Sequence, residues 1–352
     1  MPLCQVRIES FRCLRRVELG LDDKRNYFFG RNGAGKTSVL EAIYLLGRGR
    51  SFRTRQNRRL IRRGDNGFSV YGEYKKDDRI KRLGVALGGG SLDLRLDGEP
   101  AGGVASLTQV LPVHVIEPNI HSLIEAGPRE RRRFLDWGVF HVEPGYLSCW
   151  RRYRRILGQR NAALKRGHDS LAWDNGFIDA AIAVDHARSN YTRALQDALT
   201  GLGEKLLGAP VKIEYRSGWA RETSLYDALE ASHNKDRTIG LTHVGPHRAD
   251  LVVTMNARGV REEVSRGQQK LIAVTLILAQ IRVFADARGD GGILLCDDPA
   301  AELDQVGLAG LLSALEGLPA QLILTGLSEA RLPPARDFPV FHVDRGNVVP
   351  VV

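Results

Sequence analysis

The sequence predicts an α/β fold that is interrupted by a mostly helical second domain, and three observations lead to this prediction. A glycine-rich loop at 30–37 lies between an apolar run at 27–29, typical of a strand, and a helical stretch that begins at Ser38. The run 293–296 is apolar throughout, which is typical of a parallel strand buried on both faces. The intervening residues 119–242 have mostly helical periodicity. A chain of 352 residues has room for one large domain and a smaller one.

The same runs predict the domain boundaries. Residues 1–118 and 243–352 are expected to form the two parts of an α/β head, with 119–242 inserted between them. Two apolar stripes at helical spacing, separated at 173–176, predict a short antiparallel helical hairpin within the insertion. We interpret the stripes as internal packing. The first stripe contains Trp150, Tyr153, Leu157 and Leu164, and the second contains Val184, Tyr191, Leu195, Leu199, Leu202 and Leu206.

Composition limits the class of protein without identifying it. The chain has 51 Lys and Arg residues against 41 Asp and Glu, a net charge of +10, which favours a polyanionic partner and leaves nucleic acid and acidic lipid both open. The four cysteines lack metal-binding spacing and are expected to be free thiols. No apolar run reaches the roughly 18–20 residues of a membrane-spanning helix, and no signal sequence is recognisable. We therefore expect a cytoplasmic protein that does not enter a membrane.

A phosphate-binding loop is the strongest local signal. Residues 30–37 fit the pattern GxxxxGK[ST], with the strand before and the helix after that such a loop requires. Glycines let backbone N–H groups close around phosphate oxygens, and a helix start favours negative charge. We expect Lys36 to take part in catalysis by binding the β- and γ-phosphates of ATP, and Thr37 to bind Mg²⁺. A glycine-rich turn without a ligand is the alternative. The predicted nucleotide site contains Gly30, Arg31, Asn32, Gly33, Ala34, Gly35, Lys36 and Thr37.

Two acids follow the buried run 293–296. A phosphate-binding loop needs a carboxylate at the end of another buried strand, and Asp297 stands at that position. We expect Asp297 to bind Mg²⁺ and Asp298 to polarise the attacking water, so that both are catalytic. Asp298 occupies the position at which ABC ATPases usually have glutamate. The alternative is an Asp-Asp-Pro sequence that only caps the next helix.

A third motif, 264–270, precedes a long apolar helix at 271–281. It resembles the signature sequence of ABC ATPases, whose usual form is LSGGQ, and 299–304 resembles their D-loop. The helix start offers a hydroxyl, N–H groups and a dipole to a phosphate, although an ordinary capped core helix has the same pattern. The order of all these motifs matches the ABC class and indicates an ABC-type P-loop ATPase head. The resemblance adds Ser265, Gly267, Gln268 and Asp304 to the predicted nucleotide-binding residues.

Longer segments resemble the RecF family, and they occur in order across most of the chain. The resemblance implies a weak DNA-stimulated ATPase that forms an ATP-dependent homodimer, with Ser265 of one subunit completing the site at Lys36 of the other. It also implies binding to gapped, duplex or single-stranded DNA, and cooperation with RecO and RecR in loading RecA, in support of the SOS response. The segments are 31–53, 127–137, 159–165, 245–250 and 265–270.

Some positions depart from the general ABC pattern or leave alternatives open. Thr325 and Gly326 stand where transporter ATPases have the switch histidine, which predicts slow turnover. Glu117 lies near the Q-loop position, and no residue is assigned that role. Arg12 resembles an arginine that approaches the nucleotide phosphates in related repair ATPases, and a solvent-facing arginine is the equal alternative. A transporter ATPase subunit and a DNA clamp with negligible hydrolysis remain rival functions.

Arginines form two concentrated groups, which suit contacts with a phosphate backbone. For any one arginine, a solvated face or an intramolecular ion pair is the alternative. Aromatic residues among them are few, so base stacking is weakly supported. From the first group, DNA contacts are predicted for Arg50, Arg53, Arg55, Arg58, Arg59, Arg62 and Arg63; Arg48 lies in the same stretch. The second group contains Arg129, Arg131, Arg132, Arg133, Arg151, Arg152, Arg154 and Arg155.

Overall fold

The chain folds into two compact units. The structure, a computed structural model, describes residues 2–77, 79–168, 170–328 and 338–351. One unit is formed by Met1–Ile120 together with Phe284–Val352, and the other by His121–Val283. The first unit therefore consists of two separate stretches of chain, as the sequence predicts for a head that carries an insertion.

The helices and strands are numbered in chain order. The first stretch contains β1 (Leu3–Phe11), β2 (Leu14–Gly20), β3 (Arg25–Phe29), α1 (Lys36–Arg48), β4 (Phe68–Lys76), β5 (Arg79–Gly88), β6 (Ser91–Leu96), β7 (Glu99–Pro100), α2 (Val104–Val110) and β8 (Val113–Ile116). The second unit follows with α3 (Ser122–Glu125), α4 (Pro128–Val142), α5 (Tyr146–Lys165), α6 (Leu171–Leu199), α7 (Leu202–Leu207), β9 (Val211–Arg216), α8 (Leu225–Ile239), β10 (Asp250–Met255), β11 (Arg258–Gly259) and α9 (Val260–Glu263). The chain continues with α10 (Arg266–Arg288), β12 (Ile293–Cys296), α11 (Pro299–Glu302), α12 (Gln305–Leu315), β13 (Gln321–Gly326), β14 (Val340–Asp344) and β15 (Asn347–Val351).

An antiparallel sheet and a mostly parallel sheet make up the first unit. The antiparallel sheet has the order β2-β1-β4-β5-β6-β7. Buried and exposed residues alternate along β4 and β5, as expected of a sheet with one face on the core and one in solvent. Val6, Ile8, Val70 and Val85 on its inner face belong to the same apolar cluster as Leu40 of α1. The core therefore holds α1 against this sheet.

The second sheet of this unit, with the order β15-β14-β3-β13-β12-β8, positions the functional residues. Strands β14, β3, β13, β12 and β8 run parallel, and only β15 is antiparallel to its neighbour. Every residue of β12 and β13 is buried, which explains the continuous apolar character of β12 and of residues 322–324 in β13. Because parallel strands end at one edge, the residues that follow β3, β12, β13 and β8 lie at the same edge of the sheet. The α/β prediction is confirmed, including strands at 27–29 and 293–296.

The second unit contains the predicted helical hairpin, formed by α5 and α6. The buried residues Tyr153, Leu157 and Leu164 of α5 and Val184 and Tyr191 of α6 confirm that the stripes are internal packing. The predicted break at 173–176 is wrong, because these residues belong to the start of α6. The two helices are separated instead at 166–170, of which Asp169 lies outside the described residues. Leu202 and Leu206 lie on the separate helix α7.

The second unit also extends further along the chain than the predicted insertion. The sequence places the end of the insertion at 242, whereas the compact unit continues to Val283. It does so because β10 pairs with β9 along its whole length and because Asp250 forms a two-pronged ion pair with Arg131. Pairing between distant strands leaves no local mark in a sequence. The described residues include no helix that is both long enough and apolar enough to cross a membrane.

Candidate nucleotide-binding site

The glycine-rich loop runs from the end of β3 to the start of α1. Gly35 precedes α1 with φ of +122°, a conformation that side-chain-bearing residues rarely adopt. A β-carbon on Gly35 would lie 3.0 Å from Sγ of Cys13, and one on Gly30 would collide with the carbonyl of Val343. Gly30 and Gly35 are therefore required by both backbone conformation and close packing, whereas Gly33, with φ of +78°, is required by backbone conformation alone.

Lys36 points back into this loop. Its Nζ donates to the carbonyl oxygens of Gly30 at 2.6 Å and Arg31 at 3.2 Å, and the residue is only 6% exposed. Burial lowers the pKa of Lys36, while the negative charges of Asp298 and Asp297 oppose that effect. The arrangement holds the ammonium group against two carbonyls of the loop, from which it can turn to donate to phosphate oxygens.

Thr37 and Asp297 meet although 260 residues separate them in sequence. The Thr37 hydroxyl donates to the Asp297 carboxylate, with Oγ1 3.0 and 2.9 Å from its two oxygens. Thr325, at the end of β13, donates from Oγ1 to Oδ1 of Asp297 at 2.9 Å. Asp297 is thus held by two hydroxyl groups, one from the start of α1 and one from the end of β13.

The Thr37 and Asp297 pair fits the requirements of Mg²⁺. One hydroxyl and one carboxylate are the oxygen donors that this ion uses beside nucleotide phosphates, with water in its remaining positions. The described residues contain no cluster of three or more His, Cys, Asp or Glu residues that could hold a metal ion without a nucleotide. A magnesium ion at this point would therefore depend on phosphate oxygens as well as on Thr37 and Asp297.

Asp298 and Asp304 have different local roles. Asp298 adopts a left-handed conformation, with φ of +43°, and its N–H donates to Oγ1 of Thr325 at 2.9 Å. Its side chain makes no capping hydrogen bond within the described part of α11. Asp304 does cap α12, because its Oδ1 accepts from the N–H of Gly307 at 2.7 Å. Thr325 therefore orients both acids that follow β12.

Glu117 is a residue of the site that the sequence left without a role. It follows β8 as Asp297 follows β12, and the N–H of Asp297 donates to the carbonyl of Ile116 at 2.9 Å. Burial raises the pKa of Glu117 to about 7, and the nearby charge of Asp297 acts in the same direction. Arg53 opposes the rise. The available signal was an acid directly after an apolar run, the same signal that identified Asp297.

Glu41 connects Arg12 and Arg53 to the helix of the phosphate-binding loop. Its fully buried carboxylate accepts from Nε and Nη2 of Arg12 at 2.9 and 2.7 Å and from the hydroxyl of Ser51. Nη1 of Arg53 lies 3.7 Å from the same carboxylate. Nη1 of Arg12 also donates to the carbonyl of Arg59 at 3.0 Å. Arg12 is therefore placed in an internal ion pair, neither extended into solvent nor free of partners.

The basic segment 50–63 packs against the turn between β1 and β2. The N–H of Arg62 donates to the carbonyl of Ser10, and the N–H of Arg12 donates to the carbonyl of Leu60. Arg62 also lies 3.6 Å from Asp65. Burial lowers the pKa of the neighbouring Arg48 to about 10, while Tyr44, whose ring centre lies 5.5 Å from its guanidinium carbon, opposes that effect. The predicted DNA contacts that remain exposed without a described acidic partner are Arg50, Arg55, Arg58, Arg59 and Arg63.

The predicted signature residues lie at the start of α10. Oγ of Ser265 accepts from the N–H of Gln268 at 3.3 Å, and the N–H of Ser265 donates to Oε1 of Gln268 at 3.0 Å. This reciprocal pair is a capping box. Ser265, Gly267 and Gln268 are exposed, so the capped helix start also presents its N–H groups to solvent.

A phosphate-binding loop, a capped signature helix and an acid-tipped parallel strand, in this order along the chain, define the ABC class of P-loop ATPases, in the form found in SMC-like heads. The family model described as "RecF/RecN/SMC N terminal domain" matches residues 2–345. The chain belongs to the RecF family.

Similarity to individual proteins extends over the whole chain. The chain is 39% identical to the "DNA replication and repair protein RecF" of Xanthomonas axonopodis pv. citri, and the alignment covers 99% of this chain and 98% of that protein. It is 38% identical to the protein of the same name from Stenotrophomonas maltophilia, with full coverage of both. A solved structure described as "the recombination mediator protein RecF-ATP in RecFOR pathway" has a TM-score of 0.88 and 25% identity, covering 100% of this chain and 98% of its own.

Proposed function

We propose that this protein is an ATP-dependent DNA-binding ATPase of recombinational repair and replication-fork maintenance. The observation that carries the proposal is the contact between Thr37 and Asp297 beside the buried Lys36. Lys36 and Thr37 begin α1 and Asp297 follows β12, and together they supply the donors that a nucleotide with Mg²⁺ requires. The relatives named as replication and repair proteins, and the ATP-containing structure, support the same function.

The residues divide the chemistry of ATP between them. Lys36 binds the β- and γ-phosphate oxygens, giving up its present bonds to the loop carbonyls. Thr37 and Asp297 hold Mg²⁺, which neutralises phosphate charge when bound. Asp298, oriented through its N–H bond to Thr325, accepts a proton from the attacking water.

A DNA clamp with negligible hydrolysis is the second candidate, because Asp298 is one methylene shorter than the glutamate usual at this position. Single-turnover hydrolysis, measured with and without DNA, separates the two candidates. If DNA raises the rate of hydrolysis, the result supports the weak ATPase. If ATP stays bound and uncleaved while DNA binds and dissociates repeatedly, the result supports the clamp. A transporter ATPase subunit is not proposed, because the chain matches RecF relatives over 98% and 100% of their lengths.

The central test uses Lys36→Ala with Lys24→Ala as its matched control. Lys36 is buried in the loop, whereas Lys24 is an exposed lysine of the same unit. We expect Lys36→Ala to lose ATP binding or hydrolysis while the fold survives, because the ammonium contacts carbonyls of the loop and supports no apolar packing. Equal ATP affinity and turnover in both variants would remove Lys36 from the site.

We further propose that Asp297 and Asp298 have separable roles. Asp297→Asn should raise the Mg²⁺ concentration needed for activity, because a neutral amide is a poorer ligand for this ion. Asp298→Asn should leave ATP and Mg²⁺ bound and slow cleavage. ATP binding and hydrolysis measured across a Mg²⁺ titration distinguish the two, and identical phenotypes would contradict the assignment.

DNA is the proposed polyanionic partner, in gapped, duplex or single-stranded form, and the exposed arginines of the basic segment are proposed to contact it. Charge reversal at Arg58, Arg59, Arg62 and Arg63 should weaken DNA binding and reduce its salt dependence, by roughly one unit of slope for each lost phosphate contact. If DNA binding by this variant is unchanged across a salt titration, the basic segment 50–63 does not contact DNA.

RecO, RecR and RecA are the proposed protein partners, in a pathway that loads RecA and supports the SOS response. The support is the description of the similar structure as a recombination mediator in the RecFOR pathway. Copurification of this chain with RecR, with and without ATP, tests the first of these associations.

A further inference from the structure

Helix α5 has one buried face and one strongly basic face. Its 20 residues include no acid. Tyr153, Leu157 and Leu164 pack into the second unit, together with the buried Arg160. The opposite face exposes four arginines, Arg151, Arg152, Arg154 and Arg155. We refer to these four residues as the α5 basic face.

Inward-facing arginines of the same unit are neutralised by acids. Arg160 contacts Asp174 and Asp236, each at 2.8 Å, and Arg131 binds Asp250 at 2.8 and 2.9 Å. These pairs have structural roles, because a buried guanidinium without a partner is strongly unfavourable. Arg131, although part of the second arginine group, is therefore unavailable to an external ligand.

The α5 basic face has no such compensation. None of its four arginines forms an ion pair with any acid in the part of the chain that the structure describes. Arg154 makes only a cation–π contact, with its guanidinium carbon 5.5 Å from the centre of the Trp150 ring. Four positive charges with no internal acid repel one another, and an external polyanion relieves this repulsion.

The spacing of the arginines suits a phosphate backbone. A helix rises about 1.5 Å per residue, so residues 151 and 155 lie about 6 Å apart along the axis, on one side of α5. One strand of duplex DNA advances about 3.4 Å per phosphate along its axis. The four guanidinium groups therefore face a length of duplex that presents about two phosphates on each strand, and each group can bind phosphate oxygens in a two-pronged manner.

The surroundings favour nucleic acid over a protein partner. Protein interfaces have apolar or aromatic centres, and α5 has no large hydrophobic side chain in the exposed class. The exposed large hydrophobic residues of this unit, such as Leu171, Ile182 and Tyr226, lie on α6 and α8. Single-stranded nucleic acid requires free aromatic surfaces for stacking, whereas the indole of α5, Trp150, is half-buried and lies under the guanidinium group of Arg154. Duplex backbone is the remaining fit.

We propose that the α5 basic face is a second contact surface for the phosphate backbone of duplex DNA. It belongs to the second compact unit, whereas the basic segment 50–63 belongs to the first. The inference rests on the proposed function, namely that the protein binds DNA.

The test compares two variants of the full-length protein that remove the same charge from the second unit. One carries Arg→Gln substitutions at the four positions of the α5 basic face. The other carries the same kind of change at four exposed cations elsewhere: Arg193→Gln, Lys212→Gln, Lys235→Gln and Arg237→Gln. Binding to a fluorescent duplex is measured by anisotropy between about 50 and 200 mM salt, a range over which phosphate contacts change affinity steeply.

We expect the α5 variant to bind duplex at least tenfold more weakly and to lose about 2 to 4 units of salt slope, at roughly 0.9 per lost contact. The control variant should keep the slope of the wild type. A third variant, with Lys at all four α5 positions, should recover most of the slope, because it retains the charge. It also shows whether a loss in the Gln variant reflects folding.

Three outcomes would overturn the inference. The first is an α5 variant with the salt slope of the wild type. The second is an equal loss in both Gln variants, which would indicate a diffuse charge effect. The third is an α5 variant that still binds duplex DNA but no longer binds vesicles containing phosphatidylserine, which would assign the face to acidic lipid. A wild-type protein that binds no DNA would instead overturn the proposed function.

Discussion

Asp297 accepts a hydrogen bond from the hydroxyl of Thr325, which stands where transporter ATPases have the switch histidine. Thr325 donates to Asp297 and accepts from the N–H of Asp298, so one side chain fixes both acids. Sequence motifs located Asp297 and Asp298 because they follow an apolar run. The bonds from Thr325 could not be found in that way, because they depend on the neighbouring position of β13 in the sheet.

Thr325→Val tests this arrangement with a side chain of nearly the same shape. We expect a higher Mg²⁺ requirement for ATP hydrolysis and a free energy of unfolding lower by about 1–3 kcal/mol, because the change leaves a buried carboxylate with one donor fewer. Denaturant unfolding and a Mg²⁺ titration measure the two effects. Thr325→Ser, which keeps the hydroxyl, should behave like the wild type. A Val variant with unchanged Mg²⁺ dependence would contradict the positioning role.

Glu117 predicts a pH dependence of stability. Its pKa rises from 4.5 to about 7 in the folded protein, mainly because of burial and then because of Asp297, while Arg53 lowers it and Glu41 raises it. A carboxyl with a raised folded pKa binds its proton more tightly when folded, so its contribution favours the fold below pH 4.5. That contribution is lost as pH rises through about 7.

In the wild type, the free energy of unfolding should therefore fall as the pH rises from 5 to 8. Glu117→Gln should not show this fall. The difference is at most about 3 kcal/mol, at 1.36 kcal/mol per pKa unit, and partial solvent access reduces it. Urea unfolding without Mg²⁺ at the two pH values, for wild type and variant, measures the effect. Parallel pH profiles of the two proteins would show that burial does not perturb Glu117 in this way.

Helix α1 joins the nucleotide loop to the basic segment through Glu41. Arg12 from the turn after β1, Arg53 from the basic segment and Ser51 all converge on this buried carboxylate. The sequence predicted the helix and the clustering of arginines, but it gave no indication that Arg53 of this cluster and Arg12 are paired with Glu41. A carboxylate on an apolar helix face becomes interpretable only when its distant partners are known.

Glu41→Gln should loosen the attachment of the basic segment to α1. We expect the free energy of unfolding to fall by about 1–3 kcal/mol, less than for a fully buried pair, because Arg12 and Arg53 are partly exposed. ATP affinity should change little, because the described partners of the Glu41 carboxylate are Arg12, Arg53 and Ser51, and neither Lys36 nor Thr37 is among them. Urea unfolding and nucleotide titration measure these two quantities. Glu99→Gln, at an exposed glutamate of β7, is the control, and equal stability of both variants would contradict a fastening role for Glu41.

At the scale of the whole chain, the sequence predicted the type of each unit better than its limits. The order of motifs was sufficient to predict a head made from two separated stretches. Residues 243–283 were assigned to that head because they include the signature motif. They group with the helical unit because β9 and β10 pair across 33 residues of intervening chain, from Arg216 to Asp250. The signature motif therefore indicates what residues 243–283 are expected to do. Which compact unit they join is decided by the β9–β10 pairing and by the ion pair of Asp250.

The last prediction concerns the ATP-dependent dimer, in which Ser265 of one subunit is expected to complete the nucleotide site of the other. A phosphate-binding loop contacts one side of a triphosphate, and the exposed start of α10 provides N–H groups and a hydroxyl that suit the other side. Two copies related by a two-fold axis offer both surfaces to each other, so one closed dimer holds two composite sites. Nucleotide binding then shifts the equilibrium towards the dimer, because only the dimer makes these additional contacts.

Ser265→Arg should retain ATP binding in the monomer and abolish dimerisation, since it adds bulk and breaks the complementarity of the interface. It also removes the cap of α10, which costs about 1 kcal/mol. Ser265→Asp separates the two effects, because aspartate preserves the cap and places negative charge against the γ-phosphate. Both variants should sediment as monomers with a slowly hydrolysed ATP analogue, whereas Ser265→Thr should dimerise like the wild type. Sedimentation velocity is the measurement, and an Asp or Arg variant that still dimerises like the wild type would exclude Ser265 from a composite site.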